Sequence, residues 1–292
     1  MSNRRTRIIR HLHALVGERH PDSAPQGLRK VAQYLSAQFS SYGWKTTSQH
    51  FRAWGKVYRN ILAVKNPAGR RLKDESAPLI IGAHYDTVVA SPGADDNASA
   101  LTVLLEAACE LQRAAVAHPV WLVAFCLEEQ GLLGSQAFVS RLKKEQRQLA
   151  GAIILECVGF ASHKGDSQRI PPGVPIAVPT VGNFLGIIGN EASQSLVDAV
   201  GRSAQRILPE LPTIALSVPA RGEALPDVRR SDHAAFWDEG YPAVMLTDTA
   251  NFRNPHYHLP TDTVETLNLA FLESVADVVV ASVRTLAMRE AG

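Results

Sequence analysis

The chain has 292 residues, of which 46% are hydrophobic and 20% charged, and its formal net charge at pH 7 is +2. This length and composition are typical of a globular protein with a full core, and the small net charge argues against nucleic acid or a membrane surface as its partner. No apolar run approaches the roughly 18 residues that span a bilayer, and the first residues lack the apolar region of a signal peptide, so we expect a cytoplasmic location.

Hydrophobic periodicity predicts a regular order of helices and strands along the chain. Residues 5–17 and 26–42 show the helical period, and 44–54 and 58–65 predict the two strands of a hairpin. Further along, the predicted elements are a strand at 78–83, a helix from about 97 to 117, a strand at 119–127, a helix at 132–148, a strand at 151–157, a helix at 190–207, strands at 212–218 and 242–247, and a helix from about 263 to 288. Strands that alternate with helices indicate an α/β fold, here with a mixed and mainly parallel central sheet flanked by helices.

One segment interrupts this alternation. Residues 161–183 include four prolines between positions 171 and 179, which predicts an inserted loop. No shift in composition marks a domain boundary, so we expect residues 1–292 to form a single domain. Because the loop follows a strand at its carboxyl end, and because proline restricts the backbone, we expect the loop to form a fixed wall beside the functional site.

Residues with catalytic or metal-binding potential follow the predicted strands, at the edge where open α/β sheets place their functional sites. They are His84 and Asp86 after the strand at 78–83, Glu128 and Glu129 after 119–127, Glu156 near the end of 151–157, and His256 and His258 after a loop that follows 242–247. Asp95 and Asp96 stand at a helix start on the same edge. Carboxylates and imidazoles grouped in this way suit a cation with mixed oxygen and nitrogen ligands, such as zinc.

Local geometry suggests roles for two of these pairs, each with a simpler alternative. Residues two apart on a strand point the same way, so Asp86 can accept a hydrogen bond from His84 and fix its tautomer. The alternative is a surface histidine near a turn. Adjacent residues point in different directions, so one of Glu128 and Glu129 can bind a metal while the other acts as general base. The alternative for this pair is the acidic start of a helix.

The order of these motifs resembles metallopeptidase family 28, the two-zinc aminopeptidases. The matching segments are "HYDT", "PGADDNASA", "LEEQGLLGS", "LECVG", "SDHAAF" and "YHLPTDT", and the resemblance covers about residues 57–285. It implies a zinc exopeptidase fold. It also implies an enzyme that hydrolyses peptides from the N-terminus, with a peptide or small amide as substrate. The family also includes carboxypeptidases, glutaminyl cyclases and receptor domains that lost their metals. A cyclase, a carboxypeptidase-like hydrolase and an inactive binding module therefore stay as alternatives.

The resemblance also implies a role for each residue of the site. Asp95 would bridge two zinc ions, His84 and Glu156 would complete one zinc site, Glu129 and His258 would complete the other, Glu128 would be the general base, and Asp86 would support His84. The bond between Asp95 and Asp96 is expected to be cis, as the Asp–Asp bond typically is in the family. The sequence departs from the family at Glu156, where two-zinc aminopeptidases usually have aspartate.

Some nearby positions allow competing interpretations. His256 lies two residues before His258 and could be the ligand instead, although the "YH…DT" motif favours His258. Asp262 begins the segment "DTVE", which has the pattern of a capping box, so we expect Asp262 to cap a helix. Ser231 or Asp232 is likewise expected to cap the helix that begins in "SDHAAF".

Overall fold

A mixed sheet forms the centre of the chain. The computed structural model describes residues 3–67 and 77–288, and within them the sheet has eight strands. The strands are β1 (Lys45–Ala53), β2 (Lys56–Lys65), β3 (Leu79–His84), β4 (Val120–Phe125), β5 (Gly151–Glu156), β6 (Leu185–Asn190), β7 (Thr213–Val218) and β8 (Ala243–Thr247). Across the sheet they follow the order β1-β2-β4-β3-β5-β8-β6-β7.

The central strands are parallel, whereas the flanking strands are mixed in direction. β4, β3, β5 and β8 pair in parallel, and the β1–β2 hairpin joins β4 in the antiparallel direction. β6 pairs antiparallel with β8 and parallel with β7. Every residue of β3 and β5 is buried, which explains their unbroken apolar sequences, because parallel strands are covered on both faces. The predicted α/β class with a mixed, mainly parallel sheet is confirmed.

Helices cover both faces of the sheet. Within the described ranges they are α1 (Asn3–Leu15), α2 (Pro25–Ser41), α3 (Ala100–Glu110), α4 (Leu133–Lys144), α5 (Gln194–Ile207), α6 (His233–Asp238) and α7 (Leu269–Ala287). One core includes Leu12 of α1, Leu101 of α3 and Leu272 of α7, and a second core includes Phe138 of α4 and Phe236 of α6. None of the helices in these ranges is both long enough and apolar enough to cross a membrane.

Several elements differ from the expectation based on sequence: the helix predicted to residue 117 ends at Glu110, the helix predicted from about residue 263 begins at Leu269, and two further differences have a clear physical reason. The predicted strands do not include β6, whose apolar pattern is broken by two glycines. At Gly189 a Cβ atom would lie 2.3 Å from the Val197 side chain, so α5 packs directly on the backbone there. The helix expected from about residue 97 begins at Ala100, because Asp96 and Asn97 have non-helical dihedral angles. Both differences concern backbone geometry, which a hydrophobic pattern does not encode.

A buried carboxylate ties the N-terminal helix to the core. Glu106 of α3 is fully buried and accepts two hydrogen bonds from the Arg7 guanidinium of α1, at 2.7 and 2.6 Å. Arg4 makes a second, longer contact with Glu106 at 3.4 Å. A buried carboxylate without a partner is costly, so the two arginines keep α1 in place on α3.

The topology brings acidic and histidine side chains to one edge of the sheet. β3 ends at His84 and β5 ends at Glu156, while β4 leads into Glu128 and Glu129. The carboxyl ends of parallel strands face the same edge, where open sheets form their crevices. Residues 161–183, which contain neither helix nor strand, leave β5 at this edge.

Candidate metal centre

Two groups of possible metal ligands share one carboxylate at this edge. Among the described residues, one group consists of His84, Asp96 and Glu156, and the other of Asp96, Glu129 and His258. Within each group the candidate ligand atoms lie within 4.8 Å of one another. Asp96 directs one oxygen towards each histidine, so its carboxylate is placed to bridge two adjacent cations.

The first group lies at the ends of β3 and β5. His84 Nε2 lies 3.1 Å from Asp96 Oδ1 and 3.3 Å from Glu156 Oε2, and all three residues are buried. In the described part of the chain, neither ring nitrogen of His84 has a hydrogen-bond partner of suitable geometry, and nor does Asp96 Oδ1. Buried polar atoms without partners are rare, and a divalent cation bound here would satisfy His84 Nε2 and Asp96 Oδ1 together.

The second group lies further towards the surface. His258 Nε2 lies 3.0 Å from Asp96 Oδ2 and 3.3 Å from Glu129 Oε2. The His258 ring stacks on Tyr257 with 3.8 Å between ring centroids, and its backbone φ of 61° is uncommon for a residue other than glycine. The Nδ1 atom of His256 instead contacts a threonine hydroxyl at 3.0 Å. The structure therefore places His258, and not His256, in this group.

The structure contradicts the prediction that Asp95 is the bridging residue. Asp95 belongs to neither group. Its Oδ1 accepts a hydrogen bond from the Gly159 amide at 2.8 Å, and its Oδ2 accepts one from the Asn254 side chain at 2.7 Å. Asp96 holds the shared position because adjacent side chains of this irregular turn point in different directions. The cis peptide bond likewise joins Asp96 to Asn97 and does not join Asp95 to Asp96.

Asp262 holds the turn that carries Asp96. It is fully buried, and its oxygens accept hydrogen bonds from the backbone amides of Asp95 and Asp96, at 2.9 and 3.2 Å. Burial, with a smaller effect of Asp95, raises the pKa of Asp262 to about 7. The helical turn that follows begins after Thr263 without a side-chain cap, so the expectation that Asp262 caps a helix is wrong.

Asp86 supports the site through backbone amides and not through His84. Its carboxylate lies 3.7 Å from His84 Nδ1, which is too long for a hydrogen bond. Its two oxygens accept hydrogen bonds from the amides of Glu128 and Glu129, each at 3.1 Å. Asp86 therefore fixes the backbone that carries both glutamates, and this role replaces the predicted one of fixing the His84 tautomer.

Glu128 lies beside the first group without belonging to either. Its Oε2 is 3.9 Å from His84 Nε2, and the residue is 8% exposed. Burial raises the pKa of Glu128 well above its ordinary value, and Glu156 adds to this effect while His84 opposes it. A buried carboxylate with a raised pKa, next to possible metal ligands, is suited to exchange protons with a reacting molecule.

Opposite charges compensate one another among these side chains. Burial acts to lower the pKa of His84, but neighbouring carboxylates, chiefly Glu156, hold it well above 6.5. Burial acts to lower the pKa of His258, yet its close contacts with the Asp96 and Glu129 carboxylates raise that pKa to about 10. A metal ion binds neutral imidazole, so metal binding here would displace a proton from each histidine.

Two residues that the sequence analysis did not assign to the site hold Glu156. The Ser231 hydroxyl donates a hydrogen bond to Glu156 Oε2 at 2.7 Å. The Asn97 side-chain amide approaches the same oxygen at 3.4 Å and donates to the Leu155 carbonyl at 3.0 Å. Both residues lie in motifs that carry the family resemblance, "PGADDNASA" and "SDHAAF". Their position in these motifs is the feature of the sequence that could have identified them. Ser231 was expected only as a helix cap.

A cavity of about 110 Å³ adjoins Glu156. Its lining is mainly apolar and includes Val174 and Val178 from the loop at 161–183, as well as Leu216 of β7 and Met245 of β8. A cavity with an apolar interior and a carboxylate at its border can hold an apolar side chain whose polar part faces the ligand groups.

Buried polar contacts attach the loop to the segment that follows β8. The Gln168 side chain accepts a hydrogen bond from Arg253 Nε at 2.9 Å and donates one to Thr249 Oγ1 at 2.8 Å. The Arg253 guanidinium lies over the Phe184 ring, 4.5 Å from its centroid. These contacts fix the loop beside the cavity. They are consistent with the expectation that the loop forms a fixed wall.

Comparisons with known proteins place the chain among peptidases. A model of "Peptidase family M28" matches residues 60–283. YfbL, an uncharacterized protein of Escherichia coli, is 33% identical over 287 residues, which are 94% of this chain and 85% of that protein. Aminopeptidase YwaD of Bacillus subtilis is 28% identical over 242 residues, which are 80% of this chain and 45% of that protein. The chain thus spans about half the length of YwaD and of several leucine aminopeptidases that it matches.

Solved structures share the fold. The LapA aminopeptidase of Legionella pneumophila matches with a TM-score of 0.74 at 19% identity, covering 98% of this chain and 72% of that one. A glutaminyl cyclase of Porphyromonas gingivalis matches with a TM-score of 0.69 at 20% identity, covering 96% of each chain. BSAP, a zinc aminopeptidase of Bacillus subtilis, matches with a TM-score of 0.64 at 25% identity, covering 82% of this chain and 52% of that one.

We expect Asp96→Asn and Asp95→Asn to differ in zinc binding. Asp96→Asn removes the charged carboxylate that both groups share, so zinc affinity should fall by more than the roughly 10- to 100-fold that is typical when an outer supporting residue is lost. Asp95→Asn keeps an oxygen that can accept from the Gly159 amide but loses the acceptor of the Asn254 side chain, which should lower stability. Because both groups stay intact, the folded variant should retain zinc. Elemental analysis after gel filtration measures the difference, with circular dichroism to verify folding. Zinc loss from Asp95→Asn but not from Asp96→Asn would reverse the two roles.

Proposed function

The chain belongs to peptidase family M28, and on that premise we propose that it is a zinc-dependent aminopeptidase with two zinc ions at the edge of the sheet. The family resemblance of the sequence motifs is thereby confirmed, and membership of this family supports a peptide-hydrolase activity. One observation supports the proposal of two zinc ions and a separate general base. The Asp96 carboxylate is common to two groups of ligand atoms, and Glu128 lies beside them as a member of neither.

The proposed ligands of one zinc ion are His84, Asp96 and Glu156, and those of the other are Asp96, Glu129 and His258. Carboxylate oxygens and imidazole nitrogens are ordinary zinc ligands. Two zinc ions bring four positive charges against three carboxylates, which leaves one positive charge when both imidazoles are neutral. When bound, such ions supply Lewis acidity that polarises a carbonyl group and lowers the pKa of water.

Glu128 is the proposed general base. Its carboxylate would accept a proton from the attacking water and then deliver that proton to the leaving amine nitrogen as the C–N bond breaks. The hydrogen bond from the Glu128 amide to Asp86 at 3.1 Å supports this role, because it fixes the backbone from which the side chain reaches. Glu129 directs its carboxylate towards His258, so the two adjacent glutamates have separate tasks.

The apolar cavity beside Glu156 is the proposed site for the side chain of the substrate's first residue. Its lining by Val174, Val178, Leu216 and Met245 supports a preference for large apolar residues. The loop that walls the cavity supports exopeptidase action, because a wall beside the ligand groups leaves room for a chain end and opposes a polypeptide that continues past it.

A panel of related peptides tests the proposed activity. The zinc-loaded chain should release leucine from a tetrapeptide with a free N-terminal leucine and should leave the N-acetylated form of that peptide intact. A third peptide with N-terminal glutamine distinguishes hydrolysis from cyclisation. Pyroglutamate and ammonia from the third peptide, without release of leucine from the first, would identify a cyclase. No turnover of any peptide by the zinc-loaded chain would contradict an enzymatic role.

Substitutions of the two adjacent glutamates should distinguish loss of the general base from loss of a metal ligand. We expect Glu128→Gln to keep its zinc and to lower kcat by about 10²- to 10⁴-fold, which is the usual contribution of a general base. Glu129→Gln removes a proposed ligand and should lose zinc as well as activity. Steady-state kinetics with elemental analysis measures both effects. The assignment is reversed if Glu128→Gln loses zinc while Glu129→Gln retains it.

A tryptophan placed on the loop should change substrate preference. Val178 lines the cavity, so Val178→Trp should fill part of it and lower kcat/KM for leucine substrates relative to alanine substrates by about 10- to 200-fold, the range typical of apolar pockets. The neighbouring Ala177 is exposed and is not among the residues that line the cavity, so Ala177→Trp is the matched control and should leave the ratio unchanged. Equal ratios in the two variants would contradict the assignment of the cavity.

A further inference from the structure

Arg19 is a buried arginine outside the segment that matches the peptidase family. It lies between α1 and α2, and it is 1% exposed. The family match begins only at residue 60. In the described part of the chain, the hydrogen bonds of the Arg19 guanidinium all go to backbone carbonyl oxygens. A buried guanidinium more often pairs with a carboxylate, so an arginine whose acceptors are all backbone carbonyls is unusual.

The acceptors belong to three separate parts of the chain. With their distances from the guanidinium nitrogens, they are the carbonyls of Tyr85 (2.9 Å), Leu15 (2.7 Å), Gly17 (2.8 Å), Pro92 (2.9 Å) and Gly93 (2.9 Å). Tyr85 directly follows His84 in the chain, and Gly93 directly precedes the turn that carries Asp96. One planar cation therefore joins the end of α1, the end of β3 and the turn of the shared carboxylate.

Further hydrogen bonds of the backbone hold the same three parts of the chain together. The Arg19 amide donates a hydrogen bond to Thr87 Oγ1, and the Gly17 amide donates one to the Pro92 carbonyl, both at 2.9 Å. Gly93 has a φ of 60°, and a Cβ atom at this position would lie 2.7 Å from Arg19 Nη2. The guanidinium thus packs directly against the backbone of the turn, with no space for a side chain between them.

The Arg19 charge also acts on the acidic side of the site. Burial lowers the pKa of Arg19 to about 10, against the opposite effect of Asp96 and Asp86, so the group is charged at neutral pH. A positive charge held near several buried carboxylates offsets part of their mutual repulsion. Geometry and charge therefore favour the same arrangement of the two ligand-bearing segments.

We propose that Arg19 is a positioning residue of the metal site, which holds the segments of His84 and Asp96 at the separation that zinc binding requires. The inference rests on the proposed zinc chemistry, and it extends the site to a part of the chain outside the matched peptidase segment. Arg19 itself touches neither zinc nor substrate in this role. The competing explanation is that Arg19 stabilises the fold without any particular effect on the site.

Two substitutions of Arg19 test the proposal in the whole 292-residue chain. Arg19→Met removes the charge and all donors of the side chain, whereas Arg19→Lys keeps a charge but offers at most three donors for the carbonyls. Zinc affinity is measured by competition with a chromophoric chelator, and stability by urea unfolding in excess chelator. Arg19→Met should weaken zinc binding by about tenfold or more, the scale for supporting residues of metal sites, and Arg19→Lys should weaken it less.

Arg7→Met is the matched control, because Arg7 also makes a buried tether from the N-terminal segment but contacts Glu106 of α3 and not the metal-binding turn. This variant should lose stability in urea and keep the zinc affinity of the parent. The proposal is overturned if folded Arg19→Met binds zinc as the parent does, or if Arg7→Met loses as much affinity. If Arg19→Met fails to fold, parental zinc affinity in Arg19→Lys overturns it. A parent chain that binds no zinc would instead refute the proposed function, and this inference with it.

Discussion

The Asp96 carboxylate lies between two histidines, 3.1 Å from His84 Nε2 and 3.0 Å from His258 Nε2, and the arrangement of the site depends on this contact. Burial alone would raise the pKa of Asp96, but its close contacts with the two histidines hold that pKa below its ordinary value. The histidines in turn keep their protons because of the carboxylates around them. Protonated histidines thus offset the charge of the carboxylates at the positions where a bound cation would offset it.

Carboxylates that belong to neither ligand group fix the backbone around the two groups. Asp86 accepts hydrogen bonds from the amides of Glu128 and Glu129, Asp262 accepts from the amide of Asp96, and Asp95 accepts from the amide of Gly159. In each case a carboxylate on one loop fixes the backbone of another loop. The loops are far apart in sequence, so the site can form only when the whole edge of the sheet is folded. Buried acceptors of this kind are costly to leave unpaired, which makes the loop arrangement specific.

Sequence patterns predict the parts of this site that follow from strand ends. His84 and Glu156 terminate apolar strands that are buried on both faces, so a correct strand assignment places them at one edge. The residue whose carboxylate both groups share could not be predicted in the same way. Asp95 and Asp96 are chemically identical, and the dihedral angles of an irregular turn decide which of them faces the histidines. The role of Asp262 was missed for a related reason: its partners are backbone amides about 167 residues away, and a local capping pattern gives no sign of them.

Glu156 is a proposed ligand at a position where the resemblance to two-zinc aminopeptidases leads us to expect aspartate, and its contacts show how the longer side chain is held. A longer side chain has more rotamers to lose on burial, which would weaken a ligand position unless other contacts restrain it. Ser231 donates to Glu156 Oε2 at 2.7 Å, and Asn97 approaches the same oxygen at 3.4 Å. That oxygen still lies 3.3 Å from His84 Nε2, so the extra methylene group does not remove the carboxylate from the first group. The same side chain borders the apolar cavity, and its restraint by Ser231 therefore couples the position of a proposed metal ligand to the shape of the space beside it.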